Sequence, residues 1–428
     1  MMQTHLAGTY RERRRRLVEQ TGGGAILIGA SGVAPDKALL DKNLAYLTGL
    51  NDRNAYLLIV PDGVMVEFAE TRSTPEIMRG RKVYEILFVH EHSEQDVFME
   101  GERPTLDSIR QASGVDRAYS LDKLNATLQR VLMTVDTLWL NTPSMPELDK
   151  PLTADLLLAQ QIREHFYWLE LKNVSTLIHQ MRFVKDAYEI ASLREAFQIQ
   201  ADIFEKIMQA LEPGVCESQG QAIYDYELTM RPDNVGHGMG YQQYAASVIV
   251  ASGKNAAIPH YLANNQNIRD GDFVLIDSGV SVNGYSSDIT RTFPANGKFS
   301  PRQRELYAAV LEAENAAIAT MKPGSTMLVA HQAAYAVFEK YNLAQYCYGN
   351  CGHPVGLNIH DANERTPDDR EQPFVPGVVV VIEPFLMLHD EGIGVRIEDG
   401  VLITEDGHEI LAGPPREIEA VEALCKRD

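Results

Sequence analysis

The period of apolar and polar positions changes along the chain, and the changes divide it. After a helical start, with arginines at 11–16 as its solvated face, short apolar runs at 25–29, 55–60, 64–68 and 85–90 predict strands. Between the second and third runs stands Pro61-Asp62-Gly63, where proline presets φ and glycine accepts a positive φ, so a turn is expected there. Helical periods fill 104–112 and 121–132, and residues 1–172 are expected to form an N-terminal α/β domain. From Asn173 the pattern lengthens. A long amphipathic period over 177–210, broken near Val184 and Lys185, closes at Glu212-Pro213-Gly214, and a second helix is expected over 218–229. Strands are then expected at 247–251, 273–280, 285–293, 378–388 and 394–404, interrupted by helices at 301–321 and 326–341. Residues 173–428 therefore predict an α+β domain of mainly antiparallel strands with helices on one side.

Composition narrows the function classes. A length of 428 residues, 45% hydrophobic and 23% charged, fits a globular chain of two domains. The net charge of -20 argues against nucleic acid and against an anionic membrane surface, both of which attract basic patches. There is no signal-peptide core behind the arginine run and no apolar stretch of about 18 residues, so neither secretion nor a membrane span is expected. Four cysteines (Cys216, Cys347, Cys351, Cys425) are too few for a disulfide scaffold, which points to a reducing, cytoplasmic setting. Cys347 and Cys351 have half of a zinc spacing with no second pair, and read as small thiols. The glycines of TGGGAILIGASG precede a strand and lack the dinucleotide spacing.

The densest chemical signal is FVLIDSGVSVNGYSSDITRTF. Asn283-Gly284 is a strong hairpin turn; with it as a two-residue turn, Asp288 faces Gly279 and Asp277 lies two residues along on the same face. Two carboxylates so placed repel one another unless a cation compensates, either an arginine such as Arg291 or a metal. Three further segments favour a metal. CGHPVGLNIHDAN places His353 and His360 seven residues apart among glycines. VVVVIEPF strands Glu383 at the end of an apolar run, and GVRIEDG puts Arg396 and Glu398 on one strand face with Asp399 opposite, as a turn residue before Gly400. Four carboxylates and one imidazole make an oxygen-rich set suited to two hard or borderline divalent ions, and a metal pair that acidifies water and polarises a carbonyl serves amide hydrolysis. Spacing allows these residues to converge; it does not choose His353 over His360, or Glu398 over Asp399.

The order Asp277, Asp288, His353, Glu383, Glu398, with the motifs DSG, SDITRTF, GH, HD, IEP and RIED, resembles the pita-bread metallopeptidases that include aminopeptidase P and prolidase. The resemblance runs almost continuously from Ser175, and NLAYLTGLNDRNAYLLIV and YEILFVHEHSEQDVFMEGERP are similar to the aminopeptidase P type of N-domain. It implies a creatinase/aminopeptidase-like C-terminal domain carrying two divalent ions, Mn²⁺ foremost, with Co²⁺ or Zn²⁺ as alternatives. It also implies roles: Asp277, Asp288, His353, Glu383 and Glu398 as ligands, Glu383 also as general base, His260 and His360 near the scissile carbonyl, and Arg396 near the proline side of the substrate. The expected reaction is release of an N-terminal residue that precedes proline, and the expected assembly is a homodimer or homotetramer. Two rivals stand beside it. A prolidase would bind the dipeptide carboxylate through Arg365 or Arg370, and a non-catalytic binding protein on the same fold would be expected to lack some of the five ligands. The chain departs from the family pattern at Gly349, where a histidine is frequent and helps shape the proline pocket, at Pro354, and at Phe385, where glycine is common.

Overall fold

A computed structural model describes residues 6–29, 42–52, 54–66, 81–143, 149, 151–232, 234–238, 248–361 and 369–426. The chain folds as two compact units, Met1–Gln180 and Met181–Asp428.

The first unit is built on a six-stranded mixed sheet in the order Arg117–Ser120, Arg81–Val89, Tyr56–Val66, Ala25–Gly29, Thr137–Leu140, Glu170–Asn173. Its core gathers Leu27, Leu58, Ile86, Phe88, Val131 and Leu138, all nearly inaccessible. The strand after Gly22–Gly24 appears as expected, as Ala25–Gly29. Pro61-Asp62-Gly63 does not make a hairpin turn. Tyr56–Val66 is one bent strand, and both of its halves pair with Arg81–Val89 across a register shift between Ile59 and Val64. The extra residues are absorbed as a bulge, where proline needs no ladder donor. Phe68, expected to end the second run, lies outside the described residues.

The arginine run is also more than a solvated face. Within the helix Ala7–Thr21, Arg14 is fully buried and donates to Leu47 O at 2.7 Å, Ser113 O at 3.0 Å and Glu85 at 2.8 Å. Arg13 lies over the Tyr46 ring at 4.1 Å and donates to Tyr46 O. The flat guanidinium carries several donors, so that of Arg14 satisfies two backbone carbonyls and a carboxylate from three segments at once.

The second unit is α+β, as expected. The long helical period resolves into Ser175–Phe183, within which the division between the units falls, and Ala187–Ala210, and Asp186 and Glu189 form a capping box at the break. Antiparallel sheets make up the β layer. One orders Ile289–Pro294, Phe273–Ser278 and Ile249–Ser252; another Gly352–Pro354, Val379–Ile382, Asp399–Ile403 and His408–Ile410; Phe385–Leu388 pairs with Ile393–Arg396. The strand predicted at 378–388 is thus two, parted at Glu383-Pro384, and that at 394–404 is two, parted at Ile397-Glu398. Asp399 is no turn residue: it opens a buried strand. The four cysteines are free thiols. Among the described residues no helix is long and apolar enough to cross a membrane.

Candidate metal centre

The hairpin sets two of the acids. Asn283 and Gly284 carry φ of 53° and 89°, the positive values a two-residue turn of this kind needs, and Val282 pairs with Tyr285 and Ser281 with Ser286. The same register continues beyond the break, with Ile289 opposite Ser278 and Thr290 opposite Asp277. Asp288 sits in the gap between Tyr285–Ser286 and Ile289–Pro294, while Asp277 is next to last in its strand. Both are nearly inaccessible, at 4% and 3%.

Glu383 and Glu398 stand at the two strand breaks already noted, where the chain passes from one sheet to another. There the side chain no longer has to alternate with the pleat. Glu398 is clamped to Thr290 twice: its N–H donates to Thr290 O at 3.1 Å, and Thr290 Oγ1 donates to its Oε2 at 2.7 Å. Thr292, two residues on and on the same face, exchanges hydrogen bonds with the backbone of Arg396 at 2.9 and 3.1 Å. Arg396 in turn donates to Thr290 Oγ1 at 3.0 Å and pairs closely with Asp277 Oδ2.

His353 lies in the short strand Gly352–Pro354, paired with Val381. Its Nε2 is 3.5 Å from Asp288 Oδ2 and 3.6 Å from Glu383 Oε1. Nδ1 lies 3.2 Å from Pro354 O, and assigning the proton to Nδ1 leaves the Nε2 lone pair facing the carboxylates. Ligand atoms of Asp288, His353 and Glu398 all fall within 4.8 Å of one another. His360 stacks on His353 with ring centroids 3.8 Å apart. The next residue, Asp361, is buried and pairs closely with Arg182; its other oxygen is 3.8 Å from Lys185 Nζ. Asp361 thereby ties the segment that carries both histidines to the start of the unit.

The electrostatics ask for a cation. Burial pushes Asp288 well above the usual carboxylate range, and Glu398, Asp277 and Glu383 push it further, with Arg396 opposing. Glu398 is raised in the same direction by burial, then by Glu383 and Asp277. Glu383 is pushed up to about 7 by desolvation, which outweighs Arg396. His353 is held well below the ordinary imidazole value by burial, then by His360. His360 is lowered as well, by desolvation first, against the pull of Asp277. Oδ1 of Asp288 and Oε1 of Glu398 are buried with no hydrogen-bond partner. Inward-facing acceptors, a neutral imidazole and a carboxylate surplus over one guanidinium fit divalent metal ions.

Arg291, expected as the alternative counter-ion, is elsewhere. It pairs with Asp399 at 2.6 Å and donates to Glu398 O at 2.7 Å and Pro414 O at 3.0 Å, so it braces the backbone behind Glu398. Of the two arginines considered for a dipeptide carboxylate, Arg370 donates to Asn350 at 3.1 Å and Arg365 lies outside the described residues.

His260 is carried on the segment that follows the strand Ile249–Ser252, and this segment has an anchor the sequence did not reveal. Glu217, fully buried, accepts at Oε1 from Ser252 N (2.7 Å), Ser252 Oγ (2.7 Å) and Asn255 Nδ2 (3.1 Å). At Oε2 it accepts from Tyr261 OH and Gln266 N, both at 2.9 Å. Asn264 completes the base: its side chain accepts from Val250 N at 3.0 Å and donates to Val248 O at 2.8 Å, with φ at 45°. Ile258 and His260 at the tip stay exposed. Only an acid beside a helix start marked Glu217 in the sequence, and surface carboxylates share that signal.

A family model for metallopeptidase family M24 matches residues 191–405, and one for the aminopeptidase P N-terminal domain matches residues 10–139. The chain is 30% identical to the mitochondrial intermediate cleaving peptidase 55 of Arabidopsis thaliana, over 97% of this chain and 82% of that protein. It is 29% identical to the Xaa-Pro aminopeptidase of Escherichia coli, over 98% of each. Among solved structures, aminopeptidase PepP of Pseudomonas aeruginosa superposes with a TM-score of 0.81 at 27% identity, over 98% of both chains.

Proposed function

The chain belongs to metallopeptidase family M24 and has the pita-bread fold, and from that premise we propose that it is a Xaa-Pro aminopeptidase working with two divalent ions, Mn²⁺ foremost. The observation that carries the proposal is the convergence of Asp288, His353 and Glu398, flanked by Asp277 and Glu383, around buried acceptors with no hydrogen-bond donor of their own. These five residues would hold the ions. When bound, the pair supplies Lewis acidity toward the scissile carbonyl and water acidic enough to lose a proton near neutral pH.

The remaining chemistry belongs to side chains. Hydrolysis joins the water oxygen to the carbonyl carbon, breaks the bond to the proline nitrogen and delivers a proton to that nitrogen. Glu383, whose Oε1 is 3.6 Å from His353 Nε2 within the cluster, would take the proton and pass it on, as the resemblance implies for its general base. His260 and His360 would hydrogen-bond the carbonyl oxygen as charge builds there. Arg396, expected beside the substrate, has its guanidinium on Asp277 and Thr290, so in this reading it fixes the Asp277 carboxylate. A homodimer or homotetramer in the cytoplasm completes the proposal; Phe98 and Met99, 85% and 71% exposed, offer the N-terminal unit an apolar surface for a partner copy.

The test is a peptide scan with Mn²⁺ present. Xaa-Pro-Xaa tripeptides should be cleaved after the first residue, and Xaa-Ala-Xaa should not. Turnover of Xaa-Pro dipeptides alone would refute the aminopeptidase reading in favour of a prolidase, and no turnover by a metal-loaded sample would refute both.

A further inference from the structure

We propose that His90, His92 and Asp96 form a separate binding site, in the N-terminal unit, for a divalent late transition metal such as zinc. One ligand atom from each lies within 4.8 Å of the others. The sequence makes this local. His90 follows directly on the strand Arg81–Val89, and in extended chain residues two apart point to the same side, which puts both imidazoles together. Their rings sit edge to face with centroids 5.3 Å apart. Asp96 comes back to them from the first turn of the helix Glu94–Glu100.

The carboxylate is already oriented. In the capping box Ser93 N and Ser93 Oγ both donate to Asp96 Oδ2 at 2.8 Å, and Ser93 Oγ in turn accepts from Asp96 N. Hydrogen bonds to a ligand carboxylate fix its direction in the way that outer partners do in metal sites. Those bonds, Ser93 N–H first, also hold the Asp96 pKa below the usual carboxylate value, so it binds as an anion. Two imidazoles and one carboxylate favour zinc, copper or nickel over magnesium or calcium, which take oxygen shells. Water would complete the shell, and the ion would clip the end of the strand to the start of the helix.

Zinc itself is the probe, with full-length protein carrying no histidine tag. Equilibrium dialysis against Zn²⁺ with elemental analysis should give about one ion more per chain for the parent than for His90→Asn/His92→Asn. Peptidase activity with Mn²⁺ should be equal in the two. Equal zinc content in the two proteins would overturn the proposal. Diethylpyrocarbonate labelling of the parent, read peptide by peptide, needs no variant: Zn²⁺ should protect His90 and His92. Modification of both at the same rate with and without Zn²⁺ would overturn the proposal equally.

Discussion

Glu217→Gln changes one atom and tests whether the His260 segment owes its position to a single buried carboxylate. Of the five donors on Glu217, three meet Oε1 and two meet Oε2. Glutamine keeps one acceptor oxygen, which satisfies the larger group when it points toward Ser252 and Asn255. Its amide then faces Tyr261 OH and Gln266 N. The hydroxyl adapts, because it can turn to accept, and Asn265 Oδ1 lies 3.4 Å away as another acceptor. The Gln266 N–H cannot adapt and is left facing a donor.

A hydrogen bond to a charged group contributes about 1.5–3 kcal/mol, and stranding a buried donor costs about 1–3 kcal/mol. These overlap, so local opening should become easier by about 2–4 kcal/mol. At about 1.4 kcal/mol per decade that is roughly 30- to 1,000-fold faster amide exchange in peptides covering 252–266. The assay is hydrogen exchange by mass spectrometry, read with kcat/KM on a Xaa-Pro-Xaa substrate, which should fall as His260 loses its place. Unchanged exchange in 252–266 would refute the anchoring argument. Equal acceleration along the whole chain would refute it too, because that would mean global destabilisation.

Other perturbations test other links. Glu383→Ala should abolish turnover while circular dichroism and thermal melting stay near the parent; substantial activity in that variant would remove Glu383 from proton transfer. Asp361→Asn leaves the buried Arg182 and Lys185 facing a neutral amide, and breaking a buried pair on one side costs about 3–5 kcal/mol, so urea denaturation should show a loss of that order together with reduced activity. Glu314 is buried beside Asp399 and 3.1 Å from Arg416, and burial raises its pKa well above the carboxylate range. Its folded form keeps the proton longer than the unfolded chain, so stability should fall as pH rises from the unfolded pKa of about 4.3 toward the folded value. Glu314→Gln should flatten that part of the melting-temperature profile, and an unaltered slope would assign the pH dependence elsewhere.

What could be read from the sequence follows the range of the forces involved. The register around Asn283-Gly284 was legible because turn chemistry and alternation are local, and it holds from Val282–Tyr285 to Pro294–Phe273. The break at Glu383 had a local mark in Pro384, which cannot donate to a ladder. The break at Glu398 had none. It depends on Thr290, 108 residues away, whose hydroxyl and carbonyl both latch onto Glu398. Arg14 was invisible for the same reason, since its acceptors Leu47 and Ser113 lie 33 and 99 residues on. Asp399 looked like a turn residue only while Arg291, its partner at 2.6 Å, was out of sight.

Two of the departures from the family pattern become one feature in space. Gly349 has φ of 89°, a conformation a histidine would adopt only under strain, and a Cβ built there would lie 3.8 Å from Cζ of Phe385. The chain therefore lacks a side chain at one position and carries a phenyl ring, at the other departing position, within contact of that same space. Restoring a histidine at 349 alone would meet both the backbone preference and the ring. At the position where the resemblance implies a histidine shaping the proline pocket, this chain offers instead the Phe385 ring, at the start of the strand Phe385–Leu388 and directly after Glu383-Pro384. Phe385 opens the strand paired with Ile393–Arg396 and is joined to Glu383, at the strand break, through Pro384 alone, so a shift of the ring is passed along the chain to a proposed metal ligand across one residue of fixed φ.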